Sequence, residues 1–349
     1  HLRPRRQRQM CIRDRVSPSL IAAIQRHFRR EVDVWSVSTV LVAILILIPL
    51  ATVVGGLAQG GEKWDHIAET FLWKYVANTL ILIGLVVLLS MVMAIPPAWL
   101  VSAFEFPGRK IFEWALVLPL AIPTYVAAFV YYEGKDGFTS TLVSIKRSWG
   151  LEAYQTADTV LRYGLLAILL AAVLFPYLFI SARASFSQQR RGVIEAAQTL
   201  GRGPASVFFT VALPLARPAL VAGLSLIVME VINDYGAVKF FTVPTLTTGI
   251  FKVWQGMGDL PSAVRLAGLA MLAVLAMLWL EKAQRGRARF SELSVNATPL
   301  ARRQLKWRGA IVAILVCLIP LVLGFLYPVG QLIVWAFSSY GKLVSDGFW

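Results

Sequence analysis

The sequence predicts an all-α polytopic membrane protein, and three observations predict it. Apolar residues come in blocks of about 18 or more, the length a helix needs to cross hydrocarbon. Charge is sparse: 57% of the 349 residues are hydrophobic and 15% are charged, against roughly half and a quarter in soluble domains. The blocks are continuous rather than alternating, which excludes a β-barrel.

Seven apolar segments follow in order: 35–58, 75–101, 112–132, 163–180, 215–232, 263–280 and 310–337. With no water in the bilayer core, their backbone groups must pair internally, so each is expected to be a helix. The first follows a basic stretch and ends on Gly56-Leu57-Ala58, as a signal peptide can. At about 24 residues it exceeds the roughly 7–15-residue core of a signal peptide, so an uncleaved helix is expected. Pro49, Pro96, Pro97, Pro119, Pro123 and Pro320 interrupt the segments and are expected to kink them. Residues 1–15 have no amphipathic period or cap and resemble a translated sequencing adaptor, so a non-native leader is expected. Residues 16–34 form a short segment before the first helix. The first transmembrane domain covers 35–281, an Arg-rich linker 282–308, and a seventh helix begins a second, truncated unit at 309–349.

With the N-terminus inside, 24 of the 34 Lys and Arg residues fall on inner segments and 10 on outer ones. The formal charge of +15 is therefore read as cytoplasmic loops facing a lipid bilayer, with no nucleic acid as partner. Cys11 and Cys317 fit no disulfide framework, and three His without metal-ligand spacing predict no metal site. No Gly-x-x-x-x-Gly-Lys-Ser/Thr loop occurs to cradle phosphates, and no nucleophile–base–acid set occurs, so no enzymatic chemistry is expected in this chain.

The polar stretch 181–214 lies between the fourth and fifth segments and faces the cytoplasm in this orientation. It carries Glu195-Ala196-Ala197-Gln198-Thr199-Leu200-Gly201 and, nine residues on, Val211-Ala212-Leu213-Pro214. Glu195, Ala196, Ala197 and Leu200 fall at helical spacing. Gly201 and Gly203 break the helix, and Pro204 suits the first position of a second short helix running into Leu213-Pro214. Small Ala side chains let another surface approach, and Glu195 can meet a basic residue across it. The alternative is an amphipathic loop lying on the membrane surface.

This pattern resembles the EAA loop of type I ABC importer permeases: Glu-Ala-Ala, three residues, Gly, nine residues, Ile-x-Leu-Pro, with Val211 in place of Ile. The resemblance implies a six-helix permease unit whose loop docks on a separate ATPase dimer through Glu195, Ala196, Ala197, Leu200, Gly201, Leu213 and Pro214. It implies ATP bound by that ATPase, no cofactor in this chain, and a periplasmic or lipid-anchored binding protein facing 59–74, 133–161 and 236–262. Glu230-Val231-Ile232-Asn233-Asp234-Tyr235-Gly236-Ala237-Val238, Pro244-Thr245-Leu246-Thr247-Thr248-Gly249-Ile250 and Leu118-Pro119-Leu120-Ala121-Ile122-Pro123-Thr124-Tyr125 are similar to stretches of ferric-iron transporter permeases. Those proteins fuse two six-helix halves, so the second permease half would be a partner in the same chain, and the localisation would be a bacterial inner membrane.

Glu230, Asn233 and Asp234 recur at helical spacing near the outer end of segment five, expected to share one helix face. They and Tyr125 are candidates for a cation pathway, intramembrane acids usually facing a bundle interior or water. A structural ion pair, or a cap for the outer loop, is the alternative. Rival readings of the whole are an ABC permease for thiamine, putrescine or sulfate, a secondary transporter, and a noncatalytic membrane scaffold.

Overall fold

A computed structural model describes residues 34–189, 191–285 and 302–343. The expected leader 1–15, nearly all of 16–34, and most of the linker lie outside the described residues. The first helix, α1 (Val34–Gly56), is apolar throughout, and Pro49 lies inside it.

The remaining described elements start with α2 (Trp64–Ala103), which carries Pro96 and Pro97 without breaking. A short strand β1 (Phe104–Glu105) follows, then α3 (Arg109–Ala115) and α4 (Thr124–Glu133). Next come α5 (Thr139–Ser187), α6 (Arg191–Thr199), α7 (Pro204–Asn233), α8 (Gly236–Phe240), α9 (Leu246–Phe251) and α10 (Leu260–Arg285). The strand β2 (Arg303–Gln304) and α11 (Trp307–Ser339) close the chain. Six of these helices are long and apolar enough to cross a membrane, and a seventh span forms if the bent pair at 109–133 is one crossing.

Two expectations need correction. Segment 112–132 is not one helix: it bends by 87° between 109–121 and 124–133. The 3-10 turn Leu118–Ala121 holds Pro119, and Pro123 drives Ile122 into extended backbone (φ −95°, ψ 120°). A proline disfavours helical geometry in the residue before it. Segment 163–180 is only the apolar half of α5, which begins at Thr139 and turns at Gly150. Its polar first half, with Lys146, Arg147 and Glu152, gave no membrane signal although it is helical.

α5 is the centre of the bundle. Its most apolar stretch is 72% buried, against 22–39% for the comparable stretches of α2, α7, α10 and α11. Leu166, Leu169, Leu170, Phe175, Leu178 and Phe179 are fully enclosed there. Lipid gives no hydrophobic drive between helices, so close packing and interhelical hydrogen bonds hold such a bundle.

The helix after the linker joins this same core. Ala310, Ala313, Cys317 and Leu321 of α11 are buried in it. The Tyr131 hydroxyl of α4 donates to Leu323 O at 2.8 Å, and its ring meets Tyr327 edge-on at 5.3 Å. Gly324 sits so close that a Cβ would lie 2.1 Å from Ala172 O and 2.9 Å from Pro119. Just before α11, β2 pairs in parallel with β1 (Phe104 opposite Arg303, Glu105 opposite Gln304), and Leu305 N donates to Glu105 O at 3.1 Å.

Candidate docking elbow and pathway residues

The stretch 191–214 forms a helix–turn–helix elbow. α6 ends in a left-handed turn at Gly201 (φ +81°), and Arg202 N donates back to Ala197 O at 3.2 Å, the pattern of a Schellman cap. Gly203 is the N-cap of α7 and Pro204 opens it, as expected, because proline's missing N–H is unpaired at that position anyway. The turn is braced across itself: Arg202 Nη1 donates to Thr210 Oγ1 at 2.6 Å, and Thr210 Oγ1 donates to Ser206 O at 2.7 Å.

The second arm is not a separate short helix. It runs unbroken into the membrane span through one π-helical stretch, Phe208–Ala212, immediately before Leu213-Pro214. A proline inside an α-helix loses a hydrogen bond and clashes with the carbonyl four residues back, and a π-turn widens the coil at that point. The same arrangement recurs at Val322–Leu326 before Tyr327-Pro328 in α11.

The motif divides between two faces. Ala197, with Ile194 and Val207, packs inward beside Trp99 and Val211, while Glu195, Ala196, Leu200 and Gly201 are exposed, Leu200 at 82%. Leu213 is half-buried against the main core, and Pro214 is half-buried as well. Sequence reasoning missed the anchor. Trp99 of α2 contacts Phe186 at the end of α5 (5.3 Å) and Phe208 of α7 (5.4 Å). Buried Gln189 donates its amide to Ala212 O at 2.8 Å, tying the end of α5 to the π-turn. Paired Phe208-Phe209 was the only local sign; nothing near Trp99 marks it.

At the same end a charge network joins three elements. Arg109, only 5% exposed, holds Glu105 Oε2 at 3.1 Å and Glu113 Oε2 at 3.0 Å, and Arg183 of α5 pairs with the other oxygen of Glu113.

At the opposite end of α7, two of the distant stretches meet. Gly236 lies against Tyr125, where a Cβ would be 2.7 Å from the Tyr125 Cβ. Tyr125, Glu230 and Asn233 are exposed on this chain, and Glu230 faces the Tyr177 hydroxyl. Asp234 closes the shared helix face as the C-cap of α7, its N–H donating to Glu230 O at 2.9 Å. There the backbone turns extended (ψ 119°), and Asp234 Oδ1 accepts Ala237 N at 2.9 Å and Val238 N at 3.3 Å in the first turn of α8.

Membrane spans around a braced, exposed elbow define the class: a multi-span transport permease. A family model described as "Binding-protein-dependent transport system inner membrane component" matches residues 85–327, and the chain belongs to that family. It is a multi-span protein with the fold of the type I ABC permeases. Among its relatives, the molybdenum transport system permease protein ModB of Escherichia coli (strain K12) is 30% identical over 230 residues, covering 62% of this chain and 96% of that protein. The sulfate transport system permease protein CysT of Salmonella typhimurium is 26% identical over 251 residues (69% and 87%). The Fe(3+)-transport system permease protein FbpB 2 of Haemophilus influenzae is 23% identical over 214 residues, covering 61% of this chain and 38% of its own. A solved bacterial ABC transporter that imports the acidic polysaccharide alginate shares the fold, with a TM-score of 0.54 and 17% identity over 76% of this chain and 100% of that chain.

Proposed function

We propose that this chain is the membrane subunit of an importer in which a separate ATPase dimer docks on the 191–214 elbow. A binding protein delivers substrate at the other end of α7. The observation that carries this reading is the elbow itself. Glu195, Ala196, Leu200 and Gly201 stand exposed on it, while Ala197, Val207 and Trp99 fix its inner face. A load on such a braced arm passes into α7, which continues into the bundle, and through Gln189 into α5. ATP binds the partner, and this chain supplies the path. The Lys and Arg distribution supports an N-terminus and elbow on the cytoplasmic side. The continuation into α11 supports a second permease half fused after 309.

Ferric iron is the proposed substrate. Its support is the similarity of 118–125 and 230–250 to iron permeases, the contact between Tyr125 and Gly236, and the FbpB 2 relative. The oxyanion reading, molybdate or sulfate, is favoured by the match that covers 96% of ModB. The test is in the full-length protein. Glu195→Lys should abolish co-purification of the ATPase encoded beside it while membrane insertion persists. Uptake of ferric iron, molybdate and sulfate, each with the neighbouring binding protein, assigns the substrate. Unchanged ATPase binding in Glu195→Lys removes the docking role.

A further inference from the structure

A cavity of about 490 Å³ opens at the end of α7 away from the elbow, among Tyr75, Tyr235, Lys239, Thr242, Phe251 and Lys252. α7 is 30 residues long, roughly 45 Å at 1.5 Å per residue, so cavity and elbow lie a membrane's thickness apart. The lining carries two cations and no acid. Lys239 Nζ rests over the Tyr235 ring at 5.2 Å and Lys252 Nζ over the Phe71 ring at 5.4 Å. Among the described residues, no carboxylate ion-pairs with either ammonium. Tyr235 and Phe251 stack at 4.0 Å to form an apolar wall.

The rim is held in a costly conformation. Thr242 is the one non-glycine among the described residues with positive φ (+53°), which is unfavourable for a β-branched side chain. Arg162 of α5 fixes it by donating to Thr242 Oγ1 at 2.9 Å while pairing with Asp158. Such strain persists where surroundings over-determine it, and it tends to mark binding sites.

We propose that this cavity receives an acidic surface loop of the substrate-binding protein, an Asp or Glu carboxylate seating between Lys239 and Lys252 and its neighbouring side chains packing on the Tyr235–Phe251 wall. The proposal rests on the importer reading above. Volume favours a loop over a free ion: about 490 Å³ is in the range of a drug-sized ligand, far larger than one tetrahedral oxyanion. Charge favours it too, because unpaired cations at an exposed rim steer an acidic partner and set its association rate.

The test uses the full-length permease with its ATPase in neutral-lipid nanodiscs, and the binding protein encoded beside it. The double variant Lys239→Gln/Lys252→Gln is expected to raise the Kd for the binding protein roughly tenfold at low salt, mostly through slower association. It should flatten the salt dependence and leave hydrolysis without binding protein unchanged. Lys239→Arg/Lys252→Arg should bind like the wild type. A Kd within twofold of wild type in the Gln variant overturns the proposal. So does lysine-dependent binding of free sulfate or molybdate with an unchanged binding-protein Kd, which reassigns the cavity to a free anion. An effect that appears only when anionic lipid is added reassigns it to headgroups. A wild-type complex that the binding protein neither binds nor stimulates overturns the importer reading and this proposal with it.

Discussion

The elbow's geometry turns on Gly201, and its backbone angle can be tested apart from its size. The position a Cβ would take at 201 is empty of neighbours within 4 Å, and φ is +81°. A side chain there meets nothing, so its cost is that of holding an L-residue in the left-handed region. That is roughly 1–2 kcal/mol for an ordinary residue, highest for a β-branched one and smaller for Asn, which can hydrogen-bond locally. A loss of one to two kcal/mol lowers the ratio of closed to open elbow by a factor of about 5–30. Gly201→Val should therefore weaken ATPase binding by up to about 5–30-fold, the full factor applying where open and closed elbow are near balance, while Gly201→Asn stays within about threefold of wild type. The assay is titration of purified ATPase against full-length permease in nanodiscs, with membrane insertion checked in parallel. If Asn damages binding as much as Val, the partner needs the bare surface at 201 and the backbone argument fails. If Val is harmless, the turn at Gly201 is not what shapes the docking face.

Two further outcomes are expected. Gly324→Ala should lower the apparent melting temperature in detergent, because its Cβ would meet Ala172 O and the Pro119 ring, and overpacking of this kind costs about 1–3 kcal/mol; an unchanged melt would mean that α11 is free to shift. Burial pushes the Asp259 carboxyl up, but hydrogen bonds from Ser262 Oγ, Ser262 N and Lys63 N outweigh it and leave the group below its usual range. A depressed folded-state pKa stabilises above the unfolded value of about 4, and that contribution is lost as pH falls through the folded value. Below about pH 4 the wild type's melting temperature should drop more steeply than that of Asp259→Asn, and parallel curves would count against the clasp.

What the sequence disclosed was governed by near neighbours along the chain. Long apolar blocks announced the spans, and the spacing from Glu195 to Pro214 announced the elbow, because bilayer thickness and a helix–turn–helix are both local constraints. Trp99, Phe186 and Phe208 meet from three helices, and no pattern in any one of them marks the encounter. Hydropathy hid the polar first half of α5, since it registers only a helix's apolar stretch and says nothing of its polar continuation. The spacing from Glu230 placed Asp234 on its helix face, where it is the C-cap of α7, but nothing local showed that its carboxylate is used to start α8. Pro119 and Pro123 were legible as disruptions, yet the 87° bend needed the extended Ile122 between them.

The π-turn before Pro214 sets the rotational phase between the elbow and the membrane span. Buried positions along α7 step from Val207 to Ala212, then to Ala216 and Leu220: five residues, then four and four. The extra residue lets the arm face Trp99 while the span faces the bundle, two directions that one uninterrupted α-helix would not serve together. Winding the same residues 208–212 as ordinary α-helix, with none removed, would swing the exposed motif by nearly one residue's turn, about 100°, around the α7 axis. The docking face is thus aimed by a residue count within the helix as much as by the side chains it displays.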